Sequence, residues 1–200
     1  MDCYMKRHGS WLALDTFNRA DGSLGTADSG QNWTVPDSLW KIVSNKAKYT
    51  VGRTGTYGKN AYIDSGITNH TVEADIVRGT NDDYVGLCFQ TAIASPDNTG
   101  WRFRCSGTTA YISLVLSGTF TDYASAEFSW SGGVQHHVKV VTYQSGGNLY
   151  ISAYIDGVLI TSYTGAAYIY SNLTNAGLCT IRAAAAPGST FDNFKITRTL

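Results

Sequence analysis

Along most of this chain apolar and polar side chains alternate at every step, the period of a strand with one face buried. Leu149, Ile151, Ala153 and Ile155 fall on one side of such a run, with Tyr150, Ser152 and Tyr154 on the other. Val138 and Val140 likewise oppose His137 and Lys139, and Val72, Ala74 and Ile76 oppose Glu73 and Asp75. Ten alternating or β-branched runs predict strands at Leu39–Val51, His70–Val77, Tyr84–Thr91, Trp101–Cys105, Tyr111–Leu116, His136–Tyr143, Leu149–Ile155, Val158–Tyr163, Gly177–Arg182 and Thr190–Thr197. Turn chemistry separates them, at Gly79-Thr80-Asn81-Asp82-Asp83, Ser145-Gly146-Gly147-Asn148 and Asp156-Gly157, the last a two-residue hairpin signal. No segment sustains a helical period, and Pro187-Gly188 ends the helix-friendly Ala183–Ala186 at once. Short strands at this spacing predict one all-β antiparallel sandwich over residues 13–200. Residues 1–12 differ in composition and read as an N-terminal tail or short linker.

Composition narrows the functional classes. Only 15% of the 200 residues are charged and the formal net charge is zero, so no basic stripe invites nucleic acid or an anionic membrane. No apolar run approaches the roughly 20 residues needed to span a bilayer. The charged start, Met1 to His8, has no apolar stretch behind it and does not read as a secretory signal. Without one, the Asn-x-Thr triplets at Asn32, Asn69 and Asn172 carry little weight.

Cys3, Cys88, Cys105 and Cys179 lie far apart, with no zinc-binding spacing. A Cys88–Cys105 disulfide would join neighbouring strands. Alternation opposes it: Cys105 shares the face of Trp101 and Phe103, whereas Cys88 falls on the other side, beside Arg102 and Arg104. Free, half-buried thiols are expected, as in a protein folded in a reducing cytosol.

Four stretches, in this order, resemble the concanavalin A-like lectin/glucanase superfamily, in particular its laminin-G-like members. They are Thr71–Val77 with Val85–Gln90, the long hairpin His136–Ile160 with its Asp-Gly turn, Asn175–Ile181, and Ser189–Ile196. The opening Leu14–Trp33 is similar to the first strand and loop of such domains on phage minor tail and tail-fibre proteins. The resemblance implies a jelly roll with a concave face that frequently binds glycans. It also implies neighbouring first and last strands, where relatives often hold a structural calcium, here beside Asp15 and Asp192. A fold of this kind does not by itself fix a function.

Several candidate chemistries follow. Hydrolases of this fold place carboxylates on one strand face, and retaining chemistry needs two of them ~5 Å apart. Glu73 and Asp75 supply a pair ~6–7 Å apart along a strand. Val77 and Arg78 stand where a third acid would be, so the expected acid/base is absent and a solvated strand face is the simpler account of the pair. Lyase relatives combine His and Tyr with Arg and Gln. His136 and His137 point to opposite faces, so at most one lines a groove with Tyr150 and Tyr154. Asn81-Asp82-Asp83 is an acidic turn without the spacing of a helix-loop-helix calcium site. Asp15 with Asp192 is the better metal candidate, against the alternative that Asp192-Asn193 makes only turn hydrogen bonds. Sugars present apolar faces and hydroxyl rims, which aromatic platforms with amide and hydroxyl companions recognise. Among 5 Trp and 13 Tyr, most are expected in the core or its rim, including Trp33, Trp40, Trp101, Trp130, Tyr163, Tyr168 and Tyr170. Tyr150 and Tyr154 are the expected exposed platforms, with Arg102 and Arg104 as polar companions.

Two functions compete. One is a non-catalytic virion module of a phage tail or baseplate, homo-oligomeric, contacting other virion proteins and cell-surface polysaccharide. The other is a secreted polysaccharide-active enzyme, hydrolase or lyase, or a carbohydrate-binding module cut from one.

Overall fold

A computed structural model of the protein describes residues 11–35, 38–51, 53–80, 82–92, 99–166, 172–183 and 188–199, with the side chains of 53–58, 82–83 and 182–183 left aside. Within these residues there are strands and no helices. In chain order they are β1 Trp11–Asp15, β2 Gly22–Ser23, β3 Trp40–Val43, β4 Lys46–Tyr49, β5 Arg53–Asp64, β6 His70–Val77, β7 Asp82–Thr91, β8 Gly100–Cys105, β9 Thr109–Leu116, β10 Thr119–Glu127, β11 Gln135–Ser145, β12 Asn148–Ile155, β13 Val158–Ala166, β14 Asn175–Ala183 and β15 Thr190–Arg198. Strand β1 begins inside the stretch that composition assigned to the tail, and it pairs with β15. The first and last strands are therefore neighbours.

Nine strands form one sheet, in the order β13-β12-β11-β6-β15-β4-β3-β2 with β1 also on β15. Six form the other, β10-β9-β8-β7-β14-β5. All strand pairings are antiparallel, so each strand can offer one face to the partner sheet.

The core is the set of side chains that alternation turned inward. Val72, Ala74 and Ile76, Val138 and Val140, Leu149, Ile151, Ala153 and Ile155, and Phe191, Phe194 and Ile196 come from the nine-stranded sheet, all buried. Val85, Leu87 and Phe89, Trp101, Phe103 and Cys105, Ile112 and Leu114, and Leu178 meet them from the six-stranded sheet. Each fully buried large apolar side chain contributes about 1.5–3 kcal/mol of transfer free energy.

Trp33, Trp40, Trp101 and Trp130 are all buried, and Tyr163 packs on Trp101. Tyr168 and Tyr170 lie outside the described residues. Trp11 is 50% exposed. Cys88, Cys105 and Cys179 are free, as expected, but fully buried rather than half-buried. Register sets Cys88 opposite Arg102, and Val85 opposite Cys105. Burial pushes all three thiols well above their ordinary range. Cys3 lies outside the described residues.

Candidate functional site

Strand β12 carries Tyr150 and Tyr154 on the outer face of the nine-stranded sheet, because Leu149, Ile151, Ala153 and Ile155 point inward. Both tyrosines are half-buried, and register gives each a neighbour on β11: Tyr143 opposite Tyr150 and Lys139 opposite Tyr154. Tyr143 and Tyr150 stack with ring centroids 4.5 Å apart and planes within 1°. The Lys139 ammonium stands 5.8 Å from the centre of the Tyr154 ring. Between these pairs lie Val141 and Ser152, and the same row continues to Ser162 on β13, Thr71 on β6 and Thr197 on β15.

Arg102 and Arg104 are not companions of those tyrosines. They project from β8 away from the core, on the outer side of the six-stranded sheet, so the whole sandwich separates the two pairs. Both are buried. The Arg104 guanidinium lies 4.2 Å from the Tyr84 ring centre and 4.4 Å from that of Tyr111, donates to both Asp122 oxygens at 2.7 and 2.9 Å, and its Nε donates to Ser113 Oγ at 2.9 Å. Such a side chain braces β8, β9 and β10 together. Arg102 sits over Phe120 at 5.4 Å, and desolvation pulls its pKa below the ordinary arginine value.

The candidate metal pair lies on adjacent strands, Asp15 opposite Phe194 on the strand that carries Asp192, but each carboxylate has other partners. Asp15 is fully buried: its oxygens accept from Arg19 at 2.6 and 2.9 Å, from the Phe17 amide at 2.9 Å and from Trp33 Nε1 at 2.6 Å. Asp192 stands in register with Asp75, pairs with Lys46 at 2.9 Å and accepts the Asn193 amide at 2.9 Å. Calcium needs six to eight oxygen ligands. Here each carboxylate is satisfied by a cation and N–H donors, and no cluster of three metal-ligating side chains occurs among the described residues. The residues do not fit calcium. Asp192 accepts the local Asn193 amide, as the turn alternative expects, and adds the Lys46 ion pair, while the Asn193 side chain reaches Asp75. Asn81, and the side chains of Asp82 and Asp83, lie outside the described residues.

Glu73 and Asp75 share the polar face of β6, with His137 between them. Its Nδ1 is 2.7 Å from Asp75 Oδ1 and its Nε2 is 3.3 Å from Glu73 Oε2. Lys195 pairs with Glu73, and Asn193 donates to Asp75 at 2.8 Å. The carboxylates hold the imidazole protonated, raising its pKa to about 9, while His137 and Lys195 lower that of Glu73 to about 2. Each acid is thereby committed to an ion pair. His136 faces elsewhere, with Nδ1 2.6 Å from Asp156 and its ring edge-on to Trp130 at 5.0 Å.

Sequence reading missed Tyr143, whose only signal is its register with Tyr150. It also missed Asp122, because β10 shows no alternation. Two further surface hollows, of about 370 and 450 Å³, lie beside Thr68 and Arg198 and beside Thr108 and Phe128.

No family profile and no curated protein matches the sequence. Solved structures do. The carbohydrate-binding module CBM66 from Bacillus subtilis is similar over 82% of this chain and 94% of its own, at 14% identity and a TM-score of 0.57. The alginate lyase Aly36B covers 94% and 97%, at 13% identity and 0.64. The Emp46p carbohydrate recognition domain, in a potassium-bound form, covers 84% and 89%, at 11% and 0.61. At these identities what is shared is the fold: an all-β jelly-roll sandwich of the lectin and carbohydrate-binding-module kind.

Proposed function

We propose that this chain is a non-catalytic carbohydrate-binding domain that uses the outer face of its nine-stranded sheet. The observation that carries the reading is the disposition of aromatics. Every buried tryptophan belongs to the core, whereas Tyr143, Tyr150 and Tyr154 gather on one accessible sheet face with hydroxyls between them. Structural neighbours named as carbohydrate-binding or carbohydrate-recognising support it. The ion-paired state of Glu73 and Asp75 favours binding over turnover. The similarity of Leu14–Trp33 to phage tail domains supports placing the module on a virion, as a homo-oligomer among other virion proteins that adheres to cell-surface polysaccharide.

Affinity electrophoresis through gels containing plant, algal and bacterial polysaccharides tests the reading. Retardation by at least one of them is expected, with Tyr150→Ala and Tyr154→Ala each weakening it about tenfold, the scale of losing one aromatic platform. Reducing ends and unsaturated products followed in parallel should stay at background. Turnover that Glu73→Gln abolishes would replace this reading with the enzymatic one, either hydrolase or lyase.

A further inference from the structure

The outer face of the nine-stranded sheet has more order than a scatter of tyrosines. Its residues fall into rows that run across the strands. One row holds Lys195, Glu73, Lys139, Tyr154 and Leu159; the next holds Thr197, Thr71, Val141, Ser152 and Ser162; the third has Tyr143, Tyr150 and Thr164. The middle row is short and mostly hydroxylic; taller side chains border it on one side from β15 to β12, and on the other the Tyr143–Tyr150 pair borders it on β11 and β12. Tyr150 and Tyr154 are four residues apart on β12, which sets the two borders ~13 Å apart at ~3.3 Å per residue. Crossing from β15 to β13 spans four inter-strand gaps, ~19 Å at ~4.8 Å each. The result is a trough that runs across the strands, two-sided at β11 and β12 and continuing toward β15 as a one-sided ledge, wide enough for one polymer chain.

Charge indicates which polymer. On this face Lys46 pairs with Asp192, Lys195 with Glu73, and His137 with Asp75 and Glu73. Lys41 and Lys48, on β3 and β4, and Lys139 have no ion pair among the described residues, and of these Lys139 is the one on the border of the trough, beside the Tyr154 ring. A solvent-reached ammonium with no carboxylate partner, beside an aromatic face and a hydroxyl floor, suits a sugar that carries a carboxylate.

We infer that the trough between Tyr143–Tyr150 and Lys139–Tyr154 binds an internal stretch of an acidic, uronate-containing polysaccharide lying across the strands. This rests on the carbohydrate-binding reading and adds its substrate class, orientation and contact residues. Ring faces of Tyr150 and Tyr154 take the apolar sides of the sugars, Lys139 takes a carboxylate, and Ser152, Ser162 and Thr197 meet the hydroxyls.

Calorimetric titration with oligogalacturonates and alginate oligosaccharides of increasing length, beside cello- and xylo-oligosaccharides, tests the inference. Affinity for the acidic series is expected to climb with length until the trough is filled, and to exceed that for the neutral series at least tenfold. Lys139→Met should remove that preference, Lys139→Arg should keep it, and 0.5 M NaCl should weaken acidic binding alone. Ser152→Trp, which plugs the floor from an outward position, should abolish binding with an unchanged circular dichroism spectrum. Neutral chains bound as tightly as acidic ones, with Lys139→Met silent, would overturn the acidic class while leaving carbohydrate binding intact. Binding that survives Ser152→Trp would move the site off the trough. If the wild-type protein binds none of these probes, the carbohydrate reading and this inference fall together.

Discussion

Single side chains in this protein do most of their work as braces. Arg104 is clamped between two tyrosine rings, with Asp122 and Ser113 at its nitrogens. Arg104→Ala leaves a hole and strips partners from a largely buried network, so urea unfolding should show a loss of about 3 kcal/mol. Arg104→Lys should recover little, because only the planar guanidinium both stacks and forks. Two histidines oppose each other in their response to pH. Burial lowers the pKa of His70 to about 4, so the stability it contributes is complete above its ordinary 6.5 and is lost as pH falls towards 4. The pKa of His137 is raised to about 9 by Glu73 and Asp75, so its contribution is complete below 6.5 and is lost as pH rises towards 9. Glu73, lowered to about 2, adds a further loss between its ordinary 4.5 and 2. Stability should therefore peak near pH 6.5. His137→Gln should flatten the alkaline side by about 1 kcal/mol, a modest figure because the imidazole is 43% exposed and solvent screens its pairs. Thermal melts from pH 4 to 9 measure both limbs.

At the scale of elements, the tight turns are where single substitutions count. Asp156 and Gly157 have φ of 51° and 81°, the left-handed pair that a two-residue hairpin requires, and Asp156 also accepts from the His137 amide at 2.8 Å. Gly157→Ala should lower unfolding free energy by about 1 kcal/mol without altering the fold, as urea titration would report. That hairpin was legible because Asp-Gly sits between two clean alternations. The turn at Ser44-Asn45 has the same backbone signs but no glycine, so Leu39–Val51 read as one strand when it holds two, β3 and β4. Strands β5 and β10 escaped notice for a related reason. Both are edges of the six-stranded sheet, β5 is rich in glycine and polar residues, and β10 hides no continuous face, so neither shows a period of two. The site was half-legible on the same grounds. Parity correctly turned Tyr150, Tyr154, Arg102 and Arg104 away from the core, but it carries no information about which sheet a strand joins. The arginines were therefore grouped with tyrosines that lie across the sandwich.

For the whole molecule, the closing of Asp15 on Arg19 and Trp33, and of Asp192 on Lys46, has a simple consequence. Calcium or EDTA should leave Tm unchanged, because a ligand stabilises only where it binds the native state. A calcium-dependent rise would locate a metal elsewhere in the chain. Light scattering after size-exclusion chromatography should find an oligomer if the virion role holds, and a monomer at high concentration would count against it. The buried thiols offer a way to watch the sandwich come apart. Cys105 faces the interior, whereas Cys88 and Cys179 lie with Tyr62 on the far side of the six-stranded sheet. An alkylating reagent added to a Cys3→Ser variant would act as a stopwatch with two hands: two mass increments arriving before the third would mean that the far side of the six-stranded sheet opens before the core, and three at once that the layers part in a single step.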